Sequence, residues 1–431
     1  MNNKNNDIGR ILIISIMPHG PAYDFSPNES PPFYWENSIG NKVGFWPREW
    51  LHYIGEAVLK ETDRYSWEVW QPDYRADKIY SKTLQTGVVH RLFPSEENLY
   101  RHGWKPQTGF LSHSILSRLK DIQGEPMILL LYGTYGFHVP FYHVILEQFG
   151  PYKKFPIFYR SGGMFRSPLS QLFSLHRPLT YLNLIIQHFY IKRLLRYVDI
   201  ISEQSEMALK EVREIYSGRV EKLTMGCDFD FWIPVESDEI KSAIRKKLDI
   251  PYFKKVFFAS GNFQPRKQLD RLIEVFLKIR DRDDFFLIIA GHGDRSNTEK
   301  LNTLISPLVE KKQALIHPYV TGEDLRRLYW LSDIYVSVAT DEGGPVSVMK
   351  AIACGLPILS TPVGETADRM KNNNVGRFIP IKRYTEWQKA IIEILEYGPP
   401  KPMGIDLARS VYHWPNVADR FIKIFDDLLK I

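Results

Sequence analysis

Beyond residue 250 the chain repeats one local pattern: a short β-branched or aromatic run, a loop carrying glycine, then apolar residues at helical spacing. Val256–Ser260 leads into the loop Gly261–Lys267, and Leu269, Leu272, Ile273 and Phe276 follow at i, i+3, i+4, i+7, one face of a helix. Phe285–Ala290 runs into Gly291-His292-Gly293. Ile334–Ala339 runs into Thr340–Gly344, then a helix over Val346–Cys354 with Pro345 suited to its first position and Gly355 to its stop. A helix near Leu301–Val309, a strand Ala314–His317, a helix Asp324–Leu331 capped by Thr321 and a strand Pro357–Ser360 complete the series. Continuous apolar strands alternating with helices require a parallel sheet covered on both faces, so the fold class is α/β.

The first half has the same rhythm in weaker form. Ile11–Ile16 reads as a buried strand, followed by a long proline-rich loop holding His19 and Gly20, after which Pro47 opens a helix carrying Trp50, Tyr53, Ile54, Ala57 and Val58. Trp67–Trp70, Val88–Leu92, Met127–Leu131, Phe155–Tyr159 and Asp199–Ile201 are further strands, with helices at Leu111–Leu119 and Ser205–Tyr216. A length of 431 residues suits two such domains. The boundary falls near 225–235, giving an N-terminal domain 1–230, a C-terminal domain 231–412 and a closing helix 413–431.

Composition narrows the function classes. With 44% hydrophobic and 25% charged residues the chain is an ordinary globular one. Lys+Arg 56 against Asp+Glu 50 is too small an excess to argue for nucleic acid. Cys227 and Cys354 have no CxxC partner, so neither a disulfide framework nor a zinc site is expected. No run of 18 uncharged apolar residues spans a membrane, and the expected place is the cytoplasm, with peripheral contact on the membrane's cytoplasmic face as a further expectation.

The three glycine loops, at Gly261, Gly291/Gly293 and Gly343/Gly344, each lie between a strand and a helix. They gather outside the carboxyl edge of the sheet, where exposed N–H groups and helix dipoles favour phosphate. A nucleotide-diphosphate compound is the natural guest.

Asp341-Glu-Gly-Gly-Pro345, Lys350-Ala-Ile-Ala-Cys-Gly-Leu-Pro357 and Ser360-Thr-Pro-Val-Gly364 resemble the donor-binding signature of GT-B retaining glycosyltransferases of family 4. Gly261-Asn-Phe-Gln-Pro-Arg-Lys267 is similar to that family's phosphate loop, Met225-Gly-Cys-Asp228 to its hinge segment, and His413-Trp414 onward to its closing helix. The resemblance covers about 225–431. It implies two facing Rossmann-like domains with a C-terminal helix crossing back to the first. It also implies a nucleotide-diphosphate-sugar as co-substrate on the second domain, a saccharide or lipid-linked acceptor on the first, and neither metal nor other cofactor. By the same resemblance Lys267 neutralises the diphosphate and Glu342 lies against the sugar, both in catalysis. Gly261, Asn262, Arg266, Gly291, Gly293, Gly343, Gly344, Pro345, Val346 and Lys350 occupy the remaining donor-binding positions.

Two departures stand out. The family's second carboxylate falls at Lys350 and its diphosphate arginine at Asn262. Lysine has donors and no acceptor, so it cannot clamp ribose hydroxyls as a carboxylate does. Three readings stay open: Lys350 replaces the arginine on the phosphates, ribose is held otherwise, or the chain is a sugar-binding pseudoenzyme. A phosphorylase of the same architecture is a further alternative.

Other candidates lie in the first half. His138 and His19 each follow a strand, where either could activate or orient an acceptor hydroxyl. Arg160 and Gly162, after the strand Phe155–Tyr159, read as a cleft loop or a turn. Asp228-Phe-Asp230 is a DxD but sits at the domain boundary, where a turn is preferred over a metal site. His176–Arg196 reads either as a basic membrane-surface helix or as a packed helix with a solvated basic end. The aromatics Phe33-Tyr34-Trp35, Phe45-Trp46 and Trp50 suit either sugar stacking or a core.

Overall fold

The computed structural model describes residues 10–20, 33–47, 49–96, 111–133, 140–161, 178–370, 376–380, 382–399 and 404–430. The chain divides into two compact units, Met1–Leu223 with Pro415–Ile431, and Thr224–Trp414.

The first unit contains β1 (Ile11–Ile16), β2 (Phe33–Glu36), β3 (Lys42–Phe45), α1 (Trp50–Glu61), β4 (Tyr65–Asp73), β5 (Tyr80–Thr83), β6 (Val89–Pro94), α2 (His113–Ile122) and β7 (Met127–Gly133). It continues with α3 (Pro140–Phe149), β8 (Ile157–Ser161), α4 (Pro178–Leu195), β9 (Ile200–Glu203), α5 (Glu206–Ile215) and β10 (Arg219–Lys222). Eight strands form one sheet in the order β10-β9-β8-β7-β1-β4-β6-β5, parallel except where β5 pairs antiparallel with β6. Every residue of β7 is buried, as its uninterrupted apolar run requires of a strand covered on both faces.

Two local features differ from the sequence expectations, and a third concerns a segment for which two readings were open. Helix α1 begins at Trp50, not at Pro47, because the Glu49 backbone N–H is taken by the His52 ring and fixes the first turn there. The strand expected at Phe155–Tyr159 runs Ile157–Ser161, which draws Arg160 out of a loop and into the sheet. The aromatic run around residue 35 forms the antiparallel β2–β3 hairpin, in which Phe33, Trp35 and Phe45 stack together while Tyr34 and Trp46 stay exposed. Phe45 lies flat on His90, centroids 3.7 Å apart, and His90 Nδ1 is 2.8 Å from His52 Nε2. His52 Nδ1 accepts from the Glu49 N–H, so its Nε2 carries the proton and donates to His90. Burial holds the His52 imidazole down to about 4 and His90 well below its ordinary value.

The second unit contains α6 (Asp238–Lys247), β11 (Lys255–Asn262), α7 (Leu269–Leu277), β12 (Phe285–His292), α8 (Arg295–Glu310), β13 (Ala314–His317) and α9 (Gly322–Leu331). β14 (Ile334–Ser337), α10 (Val346–Ala353), β15 (Ile358–Ser360), β16 (Gly376–Phe378), α11 (Tyr384–Tyr397) and α12 (Ile405–Tyr412) follow. All six strands are parallel, ordered β13-β12-β11-β14-β15-β16. Alternate residues of β11 feed two cores: Val256 and Phe258 join one, Phe257 and Ala259 the other. Pro345 is the residue before the first turn of α10, one position earlier than expected, and Gly355 follows its end at φ +76.

The last helix, α13 (Trp414–Leu429), completes the first unit. Its buried Phe421 and Phe425 meet Phe158, and Phe425 also meets Tyr65 and Trp67. Asp426 adds a pair with Arg64 at 2.9 Å and accepts from the Tyr65 hydroxyl. Truncating one such buried Phe costs about 3–5 kcal/mol.

Candidate functional site

In the second unit the chain runs from β11 outward to β13, then returns to the other side of β11 as β14. Loops leaving β11 and β14 at their carboxyl ends therefore diverge around a crevice, the place where open parallel sheets bind ligands. The loop after β11 carries Arg266 and Lys267, and the loop after β14 carries Glu342. They meet. Arg266 donates to Glu342 at 2.8 Å and to the Asp341 carbonyl at 3.0 Å, and the Lys267 ammonium pairs with the same Glu342 oxygen. The Thr340 N–H, 2.9 Å from the Arg266 carbonyl, fixes the two loops to each other.

Backbone shape permits this junction. A Cβ on Gly291 would lie 1.8 Å from the Gly261 carbonyl oxygen, so only glycine lets these neighbouring loops approach. Gly364, at φ +54, would place a Cβ 1.9 Å from the Glu342 carbonyl; without one, the next N–H, of Glu365, reaches the Gly343 carbonyl at 2.8 Å. Glu365 is buried and accepts from the Thr224 hydroxyl at 2.7 Å. Gly364 was quoted within the sequence motif, but its bracing role depends on loop contact that a one-dimensional pattern does not show.

Asn262 ends β11 with its amide oxygen buried and no hydrogen-bond partner, an acceptor suited to a hydroxyl or N–H and not to a phosphate oxygen. Gly293 lies against Phe263, whose N–H donates to the His292 carbonyl at 2.7 Å. Gly343, Gly344, Pro345 and Val346 form the approach to α10. Lys350 lies in the second turn of that helix, and its ammonium sits 4.5 Å from the Trp232 ring centroid, with Cys227 and Cys354 nearby. Burial lowers the ammonium's pKa. In the Asp228-Phe-Asp230 segment, Asp228 accepts from the N–H groups of Asp230 and Phe231, and Asp230 pairs with Arg409 and His413, the arrangement of a braced turn.

Of the first-unit candidates, His138 and Gly162 lie outside the described residues. His19 and Gly20 follow β1, and His19 Nδ1 is 2.9 Å from the Gly20 carbonyl. A carbonyl only accepts, so Nδ1 carries a proton, and in the neutral ring Nε2 is then the acceptor. Arg160 is not a cleft residue: it is fully buried, donates to Ser202 at 3.1 Å and the Leu223 carbonyl at 2.9 Å, and lies over Phe421. Beside it, Glu203 ends β9 fully buried. Burial pushes the Glu203 carboxyl well above the usual carboxylate range, with the Ser161 hydroxyl and Arg160 opposing. No sequence signal pointed to Glu203, because its setting is assembled from separate strands.

Residues 240–404 match the family model for glycosyl transferases group 1. Among curated relatives, the chain is 27% identical over 225 residues to a D-inositol 3-phosphate glycosyltransferase of Salinispora tropica, covering 49% of this chain and 45% of that one. The chain spans about half the length of the curated relatives it matches. Among solved structures, sucrose-phosphate synthase of Thermosynechococcus elongatus superposes with a TM-score of 0.68 at 13% identity, covering 98% of this chain and 100% of that one. The Anabaena protein HepE in complex with UDP gives 0.67 at 12% identity, covering 97% and 100%. Two Rossmann-like sheets with these likenesses make the fold GT-B.

Proposed function

We propose that the chain is a glycosyltransferase that moves a sugar from a nucleotide-diphosphate-sugar to a saccharide or lipid-linked acceptor. The observation that carries this reading is the convergence of Arg266 and Lys267 on Glu342 at the crevice of the second sheet, inside the segment that matches the group 1 family. When the bond from the sugar's anomeric carbon to the diphosphate breaks, negative charge grows on the phosphate. Two cations fixed beforehand by a carboxylate are placed to meet it without reorganising. Glu342 then serves the sugar and its two cationic partners at once. HepE structures with UDP, with UDP and glucose, and with UDP-glucose make a uridine nucleotide the first donor to try.

In this reading transfer proceeds with retention and without a metal, the charge being carried by Arg266 and Lys267. His19, with Nε2 available, orients the acceptor hydroxyl from the first unit. The setting is cytoplasmic assembly of a cell-surface polysaccharide or glycoconjugate, with peripheral membrane contact. The test is release of nucleoside diphosphate from a panel of nucleotide-sugars, with and without a chelator. Turnover that survives chelation supports the reading; donor binding without release from any donor would mark a sugar-binding protein instead.

A further inference from the structure

We propose that helix α4 is a docking face for an anionic lipid bilayer; the inference goes beyond sugar transfer and does not rest on it. Large apolar side chains are exposed on this helix in a group: Ile185 is 38% exposed, Ile186 59% and Phe189 65%. Lys192 and Arg193 are exposed in its last turn, and Arg196 follows its end. At about 100° per residue these six fall within an arc of about 120°, apolar residues first and basic residues after. The opposite arc carries His188, Ile191, Leu194 and Leu195, all buried in the first unit. Over residues 185–195, Gln187 aside, the helix therefore carries apolar side chains on both sides, one set in its own core and the other exposed. Core packing cannot account for the outer group.

Charge selects the occupant. No acidic residue occurs between Pro178 and Arg196. Lys192 and Arg193 make no ion pair with a described residue, and Arg196 is turned onto the Tyr197 ring, 4.7 Å away. The nearest acidic groups flank the outer arc and do not lie within it: Glu147 accepts from the Tyr190 hydroxyl, and Glu214 acts on His188. Apolar side chains that need an apolar medium, next to cations that need anions, match the layered chemistry of a bilayer surface: acyl chains beneath anionic headgroups. None of the described helices is long and apolar enough to cross a membrane, so the contact is with the surface.

The test uses the full chain with no nucleotide-sugar, sedimented with vesicles of phosphatidylcholine alone or with added phosphatidylglycerol. Binding should require the anionic lipid and weaken with salt. At about 1 kcal/mol per basic residue near the surface, Lys192→Gln with Arg193→Gln should bind about 30-fold more weakly. Ile186→Ser with Phe189→Ser should lose binding while keeping the wild-type circular dichroism spectrum, since both residues are exposed. Equal sedimentation with neutral and anionic vesicles would overturn the proposal. So would concentration-dependent dimerisation abolished by the serine variant in a chain that ignores vesicles, because the occupant would then be a second copy.

Discussion

Glu342 and Glu203 stand at comparable places, each at or just beyond the carboxyl end of a strand in a parallel sheet, yet their chemistry is opposed. Glu342 is held by two cations at the rim of the second sheet. Glu203 is sealed inside the first, where burial favours its neutral form. Two buried histidines of the first unit follow Glu203: His52 and His90 are also driven toward neutrality. Residue type and strand position therefore do not assign a role. What decides is the balance of burial against paired charge: Glu342 is ion-paired to two cations, whereas at Glu203 burial outweighs the one cation nearby, Arg160.

The largest test of this contrast is Lys267→Ala. Removing a charge-assisted donor from a developing phosphate charge should lower turnover 10²–10³-fold, about 2.7–4 kcal/mol. Unchanged nucleotide release would end the assignment of the second region as the charged one.

A pH effect of about 3 kcal/mol should come from the first region. His52 is held near 4 in the fold against an ordinary 6.5, so the unfolded chain binds more protons between those values. Its contribution is full above pH 6.5 and is lost progressively as pH falls toward 4, by about 3 kcal/mol. Amide protection factors over residues 42–52, taken relative to the intrinsic exchange rate at each pH, should fall through this window. Protection factors that are flat with pH would show that the pair stays hydrated in the fold.

The two carboxylates can be set against each other directly. Glu342→Gln should slow turnover roughly 10- to 100-fold, as expected for loss of a charged partner, with little change in melting temperature. Glu203→Gln should do the reverse. A carboxyl whose folded pKa is raised costs stability as pH climbs above its unfolded value, so the amide should raise the melting temperature at pH 8 and give no gain at pH 4. Parallel behaviour of the two variants would break the comparison.

The smallest effect is expected at Lys350. An ammonium over Trp232 contributes about 0.5–2 kcal/mol of stability. Lys350→Met should therefore leave donor affinity within twofold of wild type, a ratio equal to about 0.4 kcal/mol. A tenfold loss of affinity would place this lysine on the donor phosphates instead.

Legibility in the sequence followed contiguity. The loops of the second unit could be read because strand, glycine loop and helix lie next to each other in the chain, and β11 to α10 fell close to expectation. The Arg266–Lys267–Glu342 junction was half readable: the residues were named, but not that they pair across about 75 positions. The β2–β3 hairpin and edge strand β5 were not read, since Tyr80–Thr83 is mostly polar and the aromatics of the hairpin fit several structures. Arg160 was misplaced by a two-residue shift of its strand, enough to turn an outward loop into a buried sheet position. Lys350 was assigned by motif alignment, which is blind to the aromatic ring that Trp232 brings from elsewhere in the sequence.

Helix α13 has a consequence for how the protein is made. The surface it covers, including Tyr65, Trp67 and Phe158, leaves the ribosome early, but residues 224–414 must be translated before Phe421 and Phe425 arrive. At about 5–20 residues per second that interval is roughly 10–40 s. During it the nascent first unit lacks the helix whose Phe421 and Phe425 cover these aromatics. The first unit, begun first, is thus closed only by the last residues to be made.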